Sequence, residues 1–430
     1  MNIAAQQTHD AYKDSGIDWV GEIPATWDQI ANKHLFRLRK TQVGKRSSEY
    51  DLLSLTLRGI IKRDMENPEG KFPAEFDTYQ EVRPGDFVFC HFDVEETPRT
   101  VGLSTHHGMI TGAYTVYEPT GEADSGFLYY FYLHADTDKK LRSLYKGLRN
   151  TIPKDTFAAF KTPLPPLPEQ RAIAAFLDRK CATIDEAVRI KEEQIRLLAE
   201  RRQILIQQAV TRGLNPAAPM KDSGIDWIGQ IPAHWEVRRL KHLSEIFRGK
   251  FTHRPRNDPR LYDGEYPFFQ TGDVARAGMF LSEYRQTLNE AGLRVSTLIP
   301  KGTILITIAA NIGDVTILDI AGCFPDSVVG FKPHPKIERD FLYYSMSAMK
   351  TIFMNNSIAN AQANLNVERI GGITVCVPPQ DEQNAIMEYV QTANEKTDSA
   401  IDVKQSQIAT LKEYKTSLIN AAVTGKIKVI

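Results

Sequence analysis

One segment of the chain occurs twice. Residues 13–27 read KDSGIDWVGEIPATW and residues 221–235 read KDSGIDWIGQIPAHW, so twelve of fifteen positions are identical at an offset of 208. All four tryptophans lie in these two stretches, which we call the tryptophan segments. Large aromatic side chains bury much area, and Gly and Pro mark ordered turns. Each segment is therefore expected to dock its repeat onto a neighbour rather than to contact a ligand, and the duplication predicts two copies of one unit.

A second pair of matching motifs lies further along the chain. PPLPEQRAI at 165–173 matches PPQDEQNAI at 378–386 at an offset of 213, and the sequence AVT recurs at the same offset. We therefore predict two units of about 210 residues within the 430-residue chain. The predicted parts are a first tryptophan segment with its body (1–162), a central helix (163–214), a second segment with its body (215–376) and a final helix (377–430).

Two long helices are predicted at 169–212 and 382–424. Residues 169–212 contain no Pro or Gly, and apolar positions recur in alternating steps of three and four, which is typical of a coiled-coil seam. The same register continues in the second helix. The predicted seam residues are Ile184, Val188, Ile195, Leu198 and Leu205 in the first helix and Ile401, Ile408, Leu411 and Leu418 in the second.

Basic residues interrupt both seams at equivalent positions, namely Lys191 and Lys404, and Arg202 and Lys415. Charged seam positions often set register or orientation, so the pattern fits an antiparallel helix pair related by a pseudo-twofold axis. The alternative is that each helix packs separately on its own domain.

The two bodies, 28–161 and 236–374, share patterns without long runs of identity. VRPGDFVFCHF at 82–92 parallels IPKGTILITIA at 299–309, and SGFLYYFYL at 125–133 parallels ERDFLYYSM at 338–346. Each pair indicates a turn followed by a strand, or an aromatic core element. The predicted fold class is α+β: two mixed α/β domains in a pseudo-twofold arrangement, separated by a pair of long antiparallel coiled-coil helices.

The charge distribution points to nucleic acid although the formal net charge is zero. Residues 33–63 contain nine Lys or Arg against two acids, and residues 236–261 contain eight against three. Basic clusters contact phosphates, whereas Arg, Asn and Gln read base edges. A merely solvated charged face is the alternative. The candidate DNA contacts from these sections are Lys45, Arg46, Arg58, Lys62, Arg63, Arg248, Lys250, Arg254 and Arg256.

Taken together, these motifs resemble the specificity subunits of type I restriction–modification enzymes over essentially the whole chain. The resemblance is carried by the paired GIDWxGxIPxxW segments, the PLPPLPEQRAIAAFLD and PPQDEQNAIMEYV stretches, and helices of the form IxxLxExRxxLIxxAVTxG. It implies two DNA target recognition domains and a helical spacer that docks two methyltransferase (modification) subunits and, through them, restriction subunits. The NNSIANAQANLN stretch resembles a family loop near DNA, which adds Gln362 and Asn364 as candidates. The first body has KGLRNTIPKD there, from which Arg149 and Asn150 are carried over.

No catalytic or metal-binding motif is expected in this chain. The sequence has no NPP[YF] methyltransferase motif, no GxGxG-type cofactor loop and no GxxxxGK[ST] motif. Binding of S-adenosylmethionine and ATP by this chain is therefore not expected. The resemblance implies that S-adenosylmethionine, ATP and Mg bind only to partner subunits. His91, His106 and His107 are interpreted as structural or surface residues, because no second cluster completes a ligand set.

The remaining expectations concern location and the alternative functions. The four scattered cysteines and the lack of a secretory start or an apolar span favour a reducing cytoplasm without membrane attachment. The resemblance implies that this cytoplasm is bacterial or archaeal and that the chain lies near the nucleoid. Two other functions stay open: a non-enzymatic coiled-coil scaffold, and a nuclease or methyltransferase with two recognition domains. The preferred function predicts a double-stranded DNA target that is bipartite and asymmetric, with an unread gap.

Overall fold

The structure is a computed structural model that describes residues 8–64, 75–146, 150–358 and 366–430. The chain forms two compact units. Unit 1 comprises residues 1–192 and 405–430, and unit 2 comprises residues 193–404. No helix in the described ranges is long and apolar enough to cross a membrane.

Unit 1 combines small antiparallel sheets with short helices. Its strands are β1 (Tyr12–Asp14), β2 (Glu22–Pro24), β3 (Asp28–Ala31), β4 (Phe36–Leu38), β5 (Leu53–Thr56), β6 (Gly59–Lys62), β7 (Gln80–Val82), β8 (Phe87–Phe89), β9 (Val101–Leu103), β10 (Gly108–Ile110), β11 (Thr115–Pro119) and β12 (Lys161–Leu164). Its helices are α1 (Asn32–Leu35), α2 (Ser125–Thr137) and α3 (Lys154–Ala159), with 3-10 turns at Gly44–Glu49 and Lys140–Leu144.

The helix α4 (Leu167–Arg212) continues from unit 1 into unit 2. The strands of unit 2 are β13 (Met220–Asp222), β14 (Gln230–Pro232), β15 (Glu236–Arg239), β16 (Ser244–Arg248), β17 (Tyr262–Phe268), β18 (Phe280–Leu281), β19 (Gln286–Leu288), β20 (Ile304–Thr307), β21 (Val315–Leu318), β22 (Val328–Pro333) and β23 (Thr374–Val377). Its helices are α5 (Thr271–Arg276), α6 (Glu290–Arg294), α7 (Arg339–Ala348), α8 (Lys350–Ile358) and α9 (Val367–Gly372), with 3-10 turns at Leu240–His242 and Pro259–Leu261. The helix α10 (Gln380–Val423) begins in unit 2 and ends in unit 1.

Each body contains its own copy of one sheet topology. The order β4-β11-β8-β9 in unit 1 corresponds to β16-β22-β20-β21 in unit 2, where β18 adds a parallel edge strand. In both units a further strand pair, β3 with β12 and β15 with β23, joins the start of the body to its end. The predicted α+β class, with two mixed domains and two long helices, is confirmed.

Both long helices begin two residues before the predicted start. The first turn of α4 accommodates Pro168 because a proline there lacks only an N–H that would have no partner within the helix. At the other end, Gly213 has a φ of 72° and donates its N–H to the Ala209 carbonyl at 3.1 Å, a left-handed cap that glycine adopts without strain.

At the start of each long helix, one glutamate binds a tryptophan of the same unit. Glu169 accepts a hydrogen bond from the Trp27 indole at 3.3 Å, and Glu382 accepts one from Trp235 at 2.9 Å. Both indole side chains are fully buried. Each tryptophan segment therefore packs against the long helix within its own unit.

The glutamine that follows each of these glutamates joins the helix to the body. The Gln170 side chain accepts the backbone N–H of Asp124 at 2.8 Å, and Gln383 accepts that of Glu338 at 2.7 Å. Asp124 and Glu338 are the N-caps of α2 and α7, so the same contact is made at the same place in both units.

Each unit contains an antiparallel stretch of α4 and α10. In unit 1, Lys415 binds Asp185 at 2.6 Å and Lys412 lies 4.0 Å from Glu192. Residue numbers therefore increase in opposite directions along the two helices. In unit 2, Arg202 binds Asp398 at 2.6 Å. At the repeat offset of 213 residues, Arg202 corresponds to Lys415 and Asp185 corresponds to Asp398. An equivalent ion pair therefore occurs in both units.

The seam residues differ in burial. Ile184, Val188 and Leu418 are buried, whereas the remaining predicted positions are half-buried, namely Ile195, Leu198, Leu205, Ile401, Ile408 and Leu411. All three buried positions lie in unit 1, where Ile184 and Leu418 belong to the hydrophobic core.

We expect Leu418→Ala to destabilise the protein more than its counterpart Leu205→Ala. Leu418 is fully buried in the core of unit 1, whereas Leu205 is half-buried. Truncating a buried leucine typically costs about 2–5 kcal/mol, and a partly solvated one costs less. Denaturant unfolding of the two variants measures the difference, and equal losses would contradict this view of the seam.

A second prediction concerns His91, which is buried in unit 1 between Phe89 and Phe157. Neither ring nitrogen has a hydrogen-bond partner among the described residues. Burial, with a smaller effect of the Lys154 charge, lowers the pKa of His91 to about 4. The unfolded chain therefore takes up this proton first, and stability falls as the pH drops from about 6.5 to about 4, by roughly 3 kcal/mol.

The equivalent position in unit 2 holds Ile308, which is also buried. We expect His91→Ile to remove part of the acid sensitivity, and the control His34→Gln, at an exposed histidine, to leave it unchanged. Burial also lowers the pKa of His134 to about 4, so this residue retains another part of the acid sensitivity in the variant. Melting temperatures measured from pH 7 to pH 4 test this, and identical pH profiles for His91→Ile and the wild type would refute it.

Candidate nucleic-acid interface

The basic section of unit 1 lies on the surface. Lys45 and Arg46 are exposed on the 3-10 turn Gly44–Glu49, and Arg58 is exposed in the turn between β5 and β6. Lys62 is exposed at the end of β6 and binds Asp51 at 2.5 Å. That hydrogen bond lowers the pKa of the Asp51 carboxyl.

The remaining predicted residues of unit 1 are Arg63, Asn150 and Arg149. Arg63 is half-buried directly after β6. Asn150 is exposed, and its carbonyl accepts the Asp93 N–H at 2.8 Å. Arg149 lies outside the described residues, as do Gln362 and Asn364 of the other body.

In unit 2, three of the predicted arginines converge on Asp326. The Asp326 carboxylate binds Arg254 at 3.4 Å and also binds Arg256, while its backbone carbonyl accepts a hydrogen bond from Arg248. Lys250 is exposed nearby in sequence, and its N–H binds the Phe324 carbonyl. The arginine side chains stay about half exposed in this cluster, so they present a convergent positive surface to solvent.

A shallow polar groove of about 590 Å³ lies in the same unit. Inside it, the Gln270 amide donates to the Gln286 side-chain oxygen at 3.1 Å. Arginine and the two amide residues are the side chains that read base edges. The groove is lined by Arg256, Asn257, Pro259, Tyr262, Asp263, Gln270, Arg285, Gln286 and Thr287.

Of this lining, sequence reasoning identified Arg256 alone. The other members are dispersed between β16 and β19 and form no charged run. The 3-10 turn Pro259–Leu261 and the helix α5 bring these residues together. The spacing of the residues along the sequence does not predict this arrangement. Gln270 illustrates the point: its place is fixed by its role as the N-cap of α5, where it forms a capping box with Asp273.

The histidines that could suggest a metal occupy separate environments. His91 is buried in the aromatic core, whereas the ring of His107 is largely exposed and lies 3.3 Å from Glu81. Within the described ranges, no group of three His, Cys, Asp or Glu side chains is arranged to hold a metal ion. The four cysteine thiols are buried, and burial raises the pKa of each.

A sequence profile described as the type I restriction modification DNA specificity domain matches residues 112–195 and 232–411, more than half of the chain. The chain belongs to this family. The two matched stretches cover the later part of the first body with more than half of α4, and the second body with most of α10. As a member of the specificity family, it has a role in DNA recognition within type I restriction–modification.

Relatives in this family match along much or nearly all of the chain. A provisionally named MjaX specificity subunit of a type I restriction enzyme from Methanocaldococcus jannaschii is 23% identical, over 95% of this chain and 96% of its own length. The EcoBI specificity subunit of Escherichia coli is 25% identical over 62% of this chain and 58% of its own length.

Solved structures have the same fold. A chain from a structure on complex assembly and conformational transition of the type I R-M system has a TM-score of 0.67 at 16% identity, covering 93% of this chain and 98% of that one. The HsdS subunit from Thermoanaerobacter tengcongensis has a TM-score of 0.52 at 17% identity, covering 98% of this chain and 100% of that one.

Proposed function

We propose that this chain reads a bipartite, asymmetric site in double-stranded DNA and contributes recognition but no catalytic group. It would act in a bacterial or archaeal cytoplasm with two methyltransferase (modification) subunits, and with restriction subunits bound through them. S-adenosylmethionine, ATP and Mg would bind only to those partners. The observation that carries this proposal is that the two bodies share a scaffold but differ in the surface elements that bear the candidate DNA contacts.

The shared scaffold is the four-strand sheet, the strand pair that closes each body, and the glutamate–glutamine anchor. The differing elements are the β5–β6 hairpin and the β7–β10 pair in unit 1, and the β17–β19 pair with the polar groove in unit 2. Different side chains present different donors and acceptors to base edges. The two bodies are therefore expected to read different base sequences, which makes the target asymmetric.

The length of the helical seam supports an unread gap between the two half-sites. The seam from Cys181 to Ala209 lies within α4 and spans 29 residues. At about 1.5 Å per residue this is roughly 43 Å, and at about 3.4 Å per base pair it corresponds to about 13 base pairs. This distance is a little over one turn of the duplex.

An apolar stripe on α4 supports docking of the modification subunits on the helices. Ile190, Leu197 and Ile204 follow one another at intervals of seven residues, and their side chains are 43%, 49% and 54% exposed. They lie outside the predicted seam. Exposed apolar residues in heptad register are suited to packing against a partner helix.

Exchanging the body 236–374 for that of a relative should change one half of the recognised site and leave the other half unchanged. The reason is that each body carries its own set of base-reading side chains. Methylome sequencing of a host that expresses each chimera with its modification subunits measures this. A continuous or palindromic motif would refute the proposed target, as would a chimera in which both halves change.

Leu197→Glu should weaken assembly with the modification subunits by roughly 100-fold, because it replaces a leucine whose burial contributes about 1.5–3 kcal/mol with an unpaired carboxylate. The control Gln203→Glu introduces the same charge at an exposed position elsewhere on α4. Sedimentation or size-exclusion analysis of the purified subunits reports assembly. Equal behaviour of the two variants would exclude the stripe as the docking surface.

A further inference from the structure

The turn of the β5–β6 hairpin displays an apolar side chain beside a basic one. Only Leu57 and Arg58 connect the two strands, which pair in register from Thr56 and Gly59 to Leu53 and Lys62. Leu57 is 66% exposed, the highest fraction among the exposed large apolar side chains of the described residues. Arg58 is exposed as well.

The conformation of this tip is fixed locally. The Thr56 hydroxyl accepts the Arg58 N–H at 3.1 Å and donates to the Gly59 carbonyl at 3.0 Å. Gly59 has a φ of 94°, a left-handed conformation that residues with a side chain rarely adopt. The backbone of the turn is therefore ordered without any help from the side chains of Leu57 and Arg58, which remain available for a partner.

The inner face of the hairpin is packed firmly on the body. Leu53 and Ile60 are buried in a cluster with Val82, Val88, Ile110 and Val116. A Cβ at Gly102 of β9 would lie 2.7 Å from both Ile60 and Leu55, so the hairpin backs directly onto that strand. The outward display of Leu57 thus does not arise from a loosely packed element.

An arginine also braces the tip. Arg99 donates to the Leu57 carbonyl at 3.5 Å and to the buried Asp136 carboxylate at 3.0 Å. Asp136 in turn accepts the N–H and the hydroxyl of Thr100 and an amine hydrogen from Lys139. A fixed network therefore links the turn to the end of α2.

We infer that the β5–β6 hairpin enters the major groove of one half-site, where Arg58 reads a guanine and Leu57 packs on neighbouring base edges such as a thymine methyl. The major groove admits a two-stranded ribbon, arginine binds guanine O6 and N7, and apolar groups contact the thymine methyl. Lys62 and Arg63 at the foot of the hairpin are placed toward the flanking phosphates. This inference rests on the proposed DNA-reading function and specifies which element of unit 1 performs it.

The test uses the full chain assembled with its modification subunits and selects bound duplexes from a randomised DNA library. Arg58→Ala should relax one base-pair position in one half-site by about 5- to 150-fold, with the other half and the gap unchanged. Leu57→Ala should weaken preference at an adjacent position. The comparison variant Arg46→Ala, at a candidate phosphate contact, should lower affinity for all sequences alike and leave the motif intact.

An unchanged motif for both Arg58→Ala and Leu57→Ala would overturn the inference. So would loss of assembly with the modification subunits, since the tip would then bind protein rather than DNA. Failure of the proposed function is distinguishable, because the wild-type complex itself would then select no two-part motif.

Discussion

The Trp27–Glu169 and Trp235–Glu382 hydrogen bonds join three parts of each unit that are far apart in sequence. Glu169 is 8% exposed, and a carboxylate removed from water is costly unless it is hydrogen-bonded. A fully buried indole N–H needs an acceptor for the same reason. Each group therefore satisfies the other, and the glutamine next to the glutamate adds the N-terminus of a body helix to the same point. Removing the glutamate would leave a buried indole N–H unpaired in either unit.

The same two tryptophans also contact a glycine at the end of a long helix. Gly213 at the end of α4 lies against Trp235, and Gly425 just beyond α10 lies so close to Pro24 and Trp27 that a side chain there would overlap Pro24. Unit 1 is consequently completed by residues 405–430, with Leu418, Ala422 and Val423 buried in its core. The first repeat cannot bury its own core without the last helix. Contacts of such sequence separation carry a large loop-closure cost and slow folding.

The repeats, the long helices and the burial of the tryptophans were predictable because each leaves a periodic or duplicated signal. The basic seam positions Arg202 and Lys415 were also predictable from the heptad pattern. Their partners Asp398 and Asp185 were not, because the sequence does not distinguish an acidic residue beside a seam from any other exposed helix residue. The limits of the units within α4 and α10 left no signal, because an unbroken heptad pattern contains no Gly or Pro to mark a boundary. The Gln270–Gln286 pair and the Leu57 tip depend on how divergent loops fold onto the body. Periodicity carries no information about such loops.

Acidic side chains are built into the basic clusters of this chain, whose formal net charge is zero. Asp51 binds Lys62, and Asp326 binds Arg254 and Arg256. Exposed pairs of this kind contribute only about 0–1 kcal/mol each, so a phosphate can replace the carboxylate at small cost. Until it does so, the carboxylates reduce the positive potential that drives sequence-independent binding. A chain that reads bases gains from this arrangement, because weaker non-specific binding raises the ratio between its target and the many competing sites.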